Sequence, residues 1–112
     1  MLLNQGLGLE AFNALPHQRA FHALYECCNS VTLAGTIARG RPYSDREAMF
    51  RRADDLLFAL AEDSIDTIIE AYPDELRRRY RSEPDAVRSE LARINRARLD
   101  RMLGPDGGYD NW

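Results

Sequence analysis

The chain has 112 residues, which is enough for one compact domain. Hydrophobic residues make up 45% and charged residues 29%, as in an ordinary folded protein in water. The net charge of −3 arises from mixed signs, so we expect neither a nucleic acid nor an anionic membrane as partner. All 15 basic residues are arginine. The lack of lysine excludes catalysis through a lysine Schiff base and excludes a P-loop.

The cysteines, the histidines and the hydropathy pattern argue against further classes of protein. Cys27 and Cys28 are adjacent, which does not suit a disulfide, and we expect them to pack in the core rather than act as nucleophiles. The two histidines give no zinc pattern. No apolar run approaches the roughly 18–20 residues of a membrane span, and the first residues lack the pattern of a signal peptide. The expectation is a cytoplasmic protein.

Apolar residues recur three and four positions apart along the chain, which predicts helices throughout. The first half is predicted to form a short helix over 6–13 and longer helices over 17–28 and 31–39. Ser30 can cap the third helix, and Gly40 is a good stop signal. The residues predicted to face inward on the second and third helices are Phe21, Leu24, Tyr25 and Cys28, then Val31, Ala34, Ile37 and Ala38.

The next helix start is predicted from a capping box. Ser44 and Glu47 have the spacing at which the two side chains cap each other's backbone. The helix that follows is predicted to run to about Ala61. Asp63 or Ser64 is then predicted to cap a further helix, rich in isoleucine.

Proline marks the remaining boundaries. Pro73 ends the isoleucine-rich helix, a short polar helix follows over 74–83, and a long helix is predicted over 84–103, since proline suits a first helical position. The prediction is an all-α, single-domain bundle of about six helices over 1–103, with a flexible tail over 104–112.

Several segments occur in a familiar order: GLEAFNALP, ECCNSVTLAG, GRPY, RADDLLFAL, IIEAYP and ELARINRARLDRML. This order resembles that of the OHCU decarboxylase family (2-oxo-4-hydroxy-4-carboxy-5-ureidoimidazoline decarboxylases), enzymes that complete the conversion of urate to allantoin in the purine pathway. The resemblance implies an all-helical bundle that needs no metal and no organic cofactor.

The resemblance also implies a site. The histidine of the family's histidine-proline motif falls on Tyr72, followed by Pro73, and the arginine that precedes the last helix falls on Arg79. The family's glutamate segment has no counterpart here. Tyr72 is therefore the candidate catalytic acid, with Arg79 and Pro73 as candidate substrate-binding residues. The alternative is that Tyr72 only packs at the end of an apolar stripe, and that Arg79 belongs to a solvated run of charge.

Two functions follow from these observations. The first is a divergent, cofactor-independent lyase acting on a small carboxylated molecule, with little or no ancestral ureidoimidazoline decarboxylation. The second is a non-catalytic helical dimerisation module. Family members are longer in the middle, so faces such as Leu56/Leu60 and Ile65/Ile69 should be partly uncovered, and a homodimer would cover them.

Overall fold

The computed structural model describes residues 6–104, which form seven helices and contain no strand. The all-α prediction is confirmed for these residues, with seven helices where about six were predicted. Residues 1–5 and the predicted tail beyond Gly104 lie outside the described residues. The helices are α1 (Leu9–Ala14), α2 (His17–Cys28), α3 (Val31–Arg39), α4 (Arg46–Ala59), α5 (Glu62–Ile69), α6 (Asp74–Ser82) and α7 (Pro84–Leu103).

The predicted N-terminal capping residue is confirmed at α3 and is wrong at α4. Ser30 accepts a hydrogen bond from the Leu33 N–H at 3.1 Å, as its position predicts. At α4 the cap is Asp45 rather than Ser44, and its Oδ1 accepts from the Ala48 N–H at 2.7 Å. A carboxylate next to a serine has the same capping chemistry, and here the backbone path places it at the helix start.

The predicted start of α5 is also wrong. Its cap position is Ala61, which has no side chain able to cap, and Asp63 lies inside the first turn. An acidic residue there still favours the helix, because the amino end of a helix carries partial positive charge.

The buried face of α2 is shifted from the predicted one. Tyr25 was expected inside but is 42% exposed, and Val31 at the start of α3 is 66% exposed. The fully buried positions on α2 instead include Ala20, Ala23 and Cys27. These small side chains let α2 lie close to α3 and α7, which both contact it.

The long helix α7 is the common packing partner, in contact with α2, α4 and α6. Its last carbonyls are capped by the chain's own amino-terminal segment. The N–H groups of Gly6–Gly8 donate to the carbonyls of Arg101–Leu103 at 3.1, 2.9 and 2.6 Å. Groups that a helix end leaves unpaired are thereby satisfied.

Arg41 ties α1 to the rest of the bundle. Its Nη1 donates to the carbonyls of Phe12 at 2.9 Å, Asn13 at 3.3 Å and Leu15 at 2.7 Å. Its Nε donates to the carbonyl of Ala38 at 2.9 Å. The guanidinium also lies 5.6 Å from the centroid of the Phe12 ring. One cation therefore holds the carboxyl end of α1 against that of α3.

The apolar faces of α5 are covered within the chain. Ile65 and Ile69 are both fully buried, so the prediction that they would be uncovered is wrong. The following helix, α6, folds back against α5 and belongs to the same core. Leu56 and Leu60, near the end of α4, are half-buried.

Candidate functional site

Tyr72 lies in the turn between α5 and α6, where the chain reverses direction. Its backbone N–H donates to the carbonyl of Ile69 at 2.8 Å, which closes the turn. Pro73 is extended and occupies the cap position of α6. Proline has no N–H to leave unpaired at this point, so the sequence favours a break here. The half-buried Tyr72 side chain is therefore held by a tight turn between two helices.

A cavity of about 300 Å³ opens beside this turn. All three residues singled out from the sequence, Tyr72, Pro73 and Arg79, line it. The structure thus brings these residues together, and their chemical roles remain a prediction. The other lining residues are Glu75 and Leu76 from α6, and Glu90 and Ile94 from α7.

Arg79 is held by an ion pair across the cavity wall. Its Nη1 lies 2.7 Å from Oε2 of Glu90, and Glu90 also lies 3.5 Å from Nη2 of Arg93. The Arg79 side chain is 43% exposed and that of Glu90 is 30% exposed. A guanidinium has several N–H donors in one plane. A ligand carboxylate can therefore bind Arg79 beside Glu90 or displace it.

Arg98, on α7, contacts Tyr72 from the other side. Its Nη1 donates a long hydrogen bond to Oη of Tyr72 at 3.4 Å, and its Cζ lies 5.6 Å from the centroid of the tyrosine ring. The same Nη1 lies 3.5 Å from the carbonyl oxygen of Cys27. This contact fixes the phenol and places positive charge next to its hydroxyl.

Arg98 was not among the residues singled out from the sequence. One signal was available: Arg98 follows Ile94 by four residues, so both lie on the same row of the helix. Ile94 lines the cavity and Arg98 touches Tyr72, one turn further along.

The two cysteines are core residues, as predicted. Cys27 is fully buried and Cys28 is 3% exposed. Burial raises the pKa of the Cys27 thiol from its ordinary 9.0 to about 12 and that of Cys28 to about 11. Because only the thiolate is a good nucleophile, neither cysteine is suited to attack a substrate at neutral pH.

The described residues contain neither a metal-ligand cluster nor a membrane-spanning helix. Across residues 6–104, no three histidine, cysteine or acidic side chains gather closely enough to hold a metal ion. Within the same part of the chain, no helix is both long and apolar enough to cross a bilayer.

The family model for OHCU decarboxylase matches residues 13–75, more than half of the 112 residues. The chain belongs to the OHCU decarboxylase family. The segment of the family match contains Tyr72 and Pro73 and ends before Arg79. Comparisons with curated proteins and with solved structures give no significant match.

Proposed function

We propose that the chain is a cofactor-independent lyase of the decarboxylase type, acting on a small carboxylated molecule in the cavity beside Tyr72. Membership of the OHCU decarboxylase family supports a decarboxylase-like role. The observation that carries the proposal is the cavity itself, where a phenol and a guanidinium, Tyr72 and Arg79, face the same space. One group can donate a proton and the other can bind an anion.

The proposed reaction needs both groups. When a carboxylate leaves as carbon dioxide, the carbon–carbon bond breaks and its electron pair stays on the substrate carbon, which must then take up a proton. Arg79 anchors the substrate carboxylate, Tyr72 Oη donates the proton to carbon, and water restores the phenol. Arg98, beside that hydroxyl, stabilises the phenolate formed in this step.

The ion pair with Glu90 moderates how tightly Arg79 holds the carboxylate. A cation that bound the ground-state carboxylate very strongly would stabilise the substrate more than the transition state, in which that charge disperses. Because Glu90 shares the Arg79 guanidinium, the substrate is oriented without being bound too tightly.

Ancestral activity is expected to be lost or reduced to a trace. Tyr72 stands where the resemblance places the family histidine, and the glutamate segment has no counterpart. With freshly generated ureidoimidazoline substrate, allantoin should form no faster than in buffer, and Tyr72→His alone should not restore the reaction. Rapid, stereochemically controlled formation of allantoin would contradict this expectation.

Lyase activity can be tested with hydantoin-5-carboxylate, a cyclic carboxylate that yields hydantoin on losing carbon dioxide. The wild-type protein should accelerate this loss over buffer, and Tyr72→Phe, which keeps the ring but removes the proton donor, should abolish the acceleration. No acceleration by the wild type, or full activity of Tyr72→Phe, would refute the proposed chemistry.

Binding can be tested separately with hydantoin-5-acetate, a stable analogue, by NMR titration. Arg79→Ala should weaken its binding roughly five- to thirty-fold, or about 1–2 kcal/mol, less than for a fully buried arginine because solvent screens the pair. Arg78→Ala is the matched control, since Arg78 is exposed. Arg77 is a poorer control, because it is half-buried and lines a different cavity. Equal effects of Arg79→Ala and Arg78→Ala would contradict the proposed anion site.

The alternative, a helical dimerisation module, has one observation in its favour. Near the end of α4, the large apolar residue Phe58 is 48% exposed, whereas Leu56 and Leu60 are half-buried. An exposed aromatic ring is favourable to cover, and a second copy is the simplest partner. A dimer that binds no carboxylate would favour this reading over the lyase.

A further inference from the structure

The side chain of Tyr72 has one hydrogen-bond partner among residues 6–104, and that partner can only donate. Nη1 of Arg98 lies 3.4 Å from Oη of Tyr72. A guanidinium carries N–H donors and no acceptor, and it is not deprotonated in proteins. In this pair the phenol oxygen is therefore the acceptor, and the hydroxyl proton of Tyr72 takes no part in the contact.

Arg98 also donates to a backbone oxygen that could otherwise accept this proton. The same Nη1 lies 3.5 Å from the carbonyl oxygen of Cys27, the last residue of α2. One nitrogen thus bridges two acceptor oxygens. If Arg98 were absent, the Cys27 carbonyl would lose this donor, and the Tyr72 hydroxyl could turn to replace it. With Arg98 in place, the carbonyl is already satisfied and the hydroxyl proton stays free.

The free proton is available to the first cavity, the one beside Tyr72 and Arg79. Tyr72 lines this cavity with a half-buried side chain, and its backbone is fixed by the turn. The guanidinium of Arg98 lies 5.6 Å from the centroid of the tyrosine ring and holds it from the α7 side. A half-buried hydroxyl that already accepts a hydrogen bond is completed by a ligand atom that accepts its proton.

We propose that Arg98 is a positioning residue that makes Tyr72 a one-way donor, so that the site selects substrates with a carbonyl or imine acceptor in addition to the carboxylate. The proposal rests on the proposed function, because it concerns the same cavity and the same anchor, Arg79. A ligand without an acceptor at this place leaves the hydroxyl unpaired. A ligand with an N–H or O–H there sets two donors against each other. A site built around a hydrogen bond rejects both.

The probe for this preference is 4-oxopentanoate, compared with pentanoate, in which a methylene group replaces the carbonyl. Both are flexible monocarboxylates of similar length, so contact with Arg79 is common to the two. Binding is measured on the full chain by NMR titration. We expect 4-oxopentanoate to bind roughly three- to tenfold more tightly, as for one hydrogen bond, and Tyr72→Phe to remove the difference. Equal binding of the two ligands by the wild type, or no binding of either, would overturn the proposal.

Variants of Arg98 test the positioning role. Arg98→Met has no donor, so the Tyr72 proton can turn to the Cys27 carbonyl, and the ratio of the two affinities should fall to about one. Arg98→Lys keeps a cation that only donates and should retain a preference of at least about twofold. Arg101→Met is the matched control on α7, because Arg101 is exposed and does not line the cavity. A wild-type ratio in Arg98→Met, or a ratio of about one in Arg98→Lys or Arg101→Met, would contradict this role.

The readout is a ratio of two affinities on the same protein, which separates positioning from stability. A variant that is only less stable binds both ligands less well and keeps their ratio. Neither ligand loses carbon dioxide, so the result does not depend on turnover. Absence of lyase activity on hydantoin-5-carboxylate with an intact preference would refute the proposed reaction alone, whereas equal binding of the two ligands by an active lyase would refute only this inference.

Discussion

Glu90→Gln should increase the affinity of the first cavity for a carboxylate. In the structure, Oε2 of Glu90 lies 2.7 Å from Nη1 of Arg79. Glu90 therefore already forms an ion pair with the guanidinium that would bind the carboxylate of the proposed substrate. The substitution keeps the shape and removes the negative charge. An increase in affinity is informative because a damaged fold would reduce binding, not improve it.

The size of the gain follows from the geometry. A ligand carboxylate on Arg79 would lie about 5 Å from the Glu90 carboxylate, and at an effective dielectric constant of about 40–80 the repulsion is about 0.8–1.7 kcal/mol. The high dielectric constant is appropriate because Arg79 is 43% exposed and Glu90 is 30% exposed. Binding should therefore become roughly four- to fifteen-fold tighter.

NMR titration with hydantoin-5-acetate measures this gain, with hydantoin as the uncharged control. The gain should disappear with hydantoin, which has no carboxylate to be repelled. It should also disappear when Glu90→Gln is combined with Arg79→Ala, because without Arg79 nothing holds the ligand carboxylate beside Glu90. An equal gain for hydantoin, or a gain that survives without Arg79, would refute the idea that Glu90 competes with the ligand for this arginine.

Three further expectations concern the bundle. Arg41→Ala should lower the free energy of unfolding by about 2–4 kcal/mol in urea, because three hydrogen bonds of 2.9 Å or shorter from a cation are lost. Arg39→Ala should cost under about 0.5 kcal/mol, because the one side-chain hydrogen bond it loses, to Thr36, is exposed. Folding raises the pKa of Cys27 to about 12 and that of Cys28 to about 11, so above pH 9 the folded state binds more protons than the unfolded state. The free energy of unfolding should therefore fall above pH 9 by up to about 1.4 kcal/mol per pH unit for each thiol. A Cys27→Ala variant whose free energy of unfolding falls with the same slope would contradict this. The protein should be a dimer at micromolar concentration by light scattering, and Phe58→Glu should shift it to monomer; a monomeric wild type would exclude this interface.

The helices were predictable because their signals are local. Ser30, Gly40 and Pro84 act on the backbone within one turn, and the structure places each at the expected helix end. The choice between Ser44 and Asp45 is not local. It depends on the path of the connector, where Asn13 from α1 exchanges hydrogen bonds of 3.0 Å with the backbone of Tyr43.

The buried face of α7 was harder to predict. Ile94 follows Leu91 by three residues and so continues its apolar row, yet it is half-buried, whereas Asn95 is only 4% exposed. A helix that contacts three others buries more than one stripe, so residues beside the main apolar row are also enclosed. The spacing of apolar residues alone does not report how many partners a helix has.

The candidate site likewise contains residues that the sequence could bring together and one contact that it could not predict. Tyr72 and Arg79 are seven residues apart, and the family pattern was enough to suggest that they share a cavity. Arg98 is 26 residues from Tyr72, and their contact exists only because α7 packs against the bundle. A partner of this kind is decided by tertiary packing, which one sequence does not reveal.

The hydrogen bonds between Gly6–Gly8 and the end of α7 affect how the chain folds. Although every element is a helix, these contacts join segments separated by nearly the whole described chain. Closing such a large loop costs conformational entropy before any contact repays it, so folding should be slower than for a bundle with mostly local contacts. Glu90 and Ile94 of α7 also line the first cavity, and Arg98 contacts Tyr72 there. Detachment of α7 would therefore remove one wall of the first cavity as well as the contact that holds Tyr72.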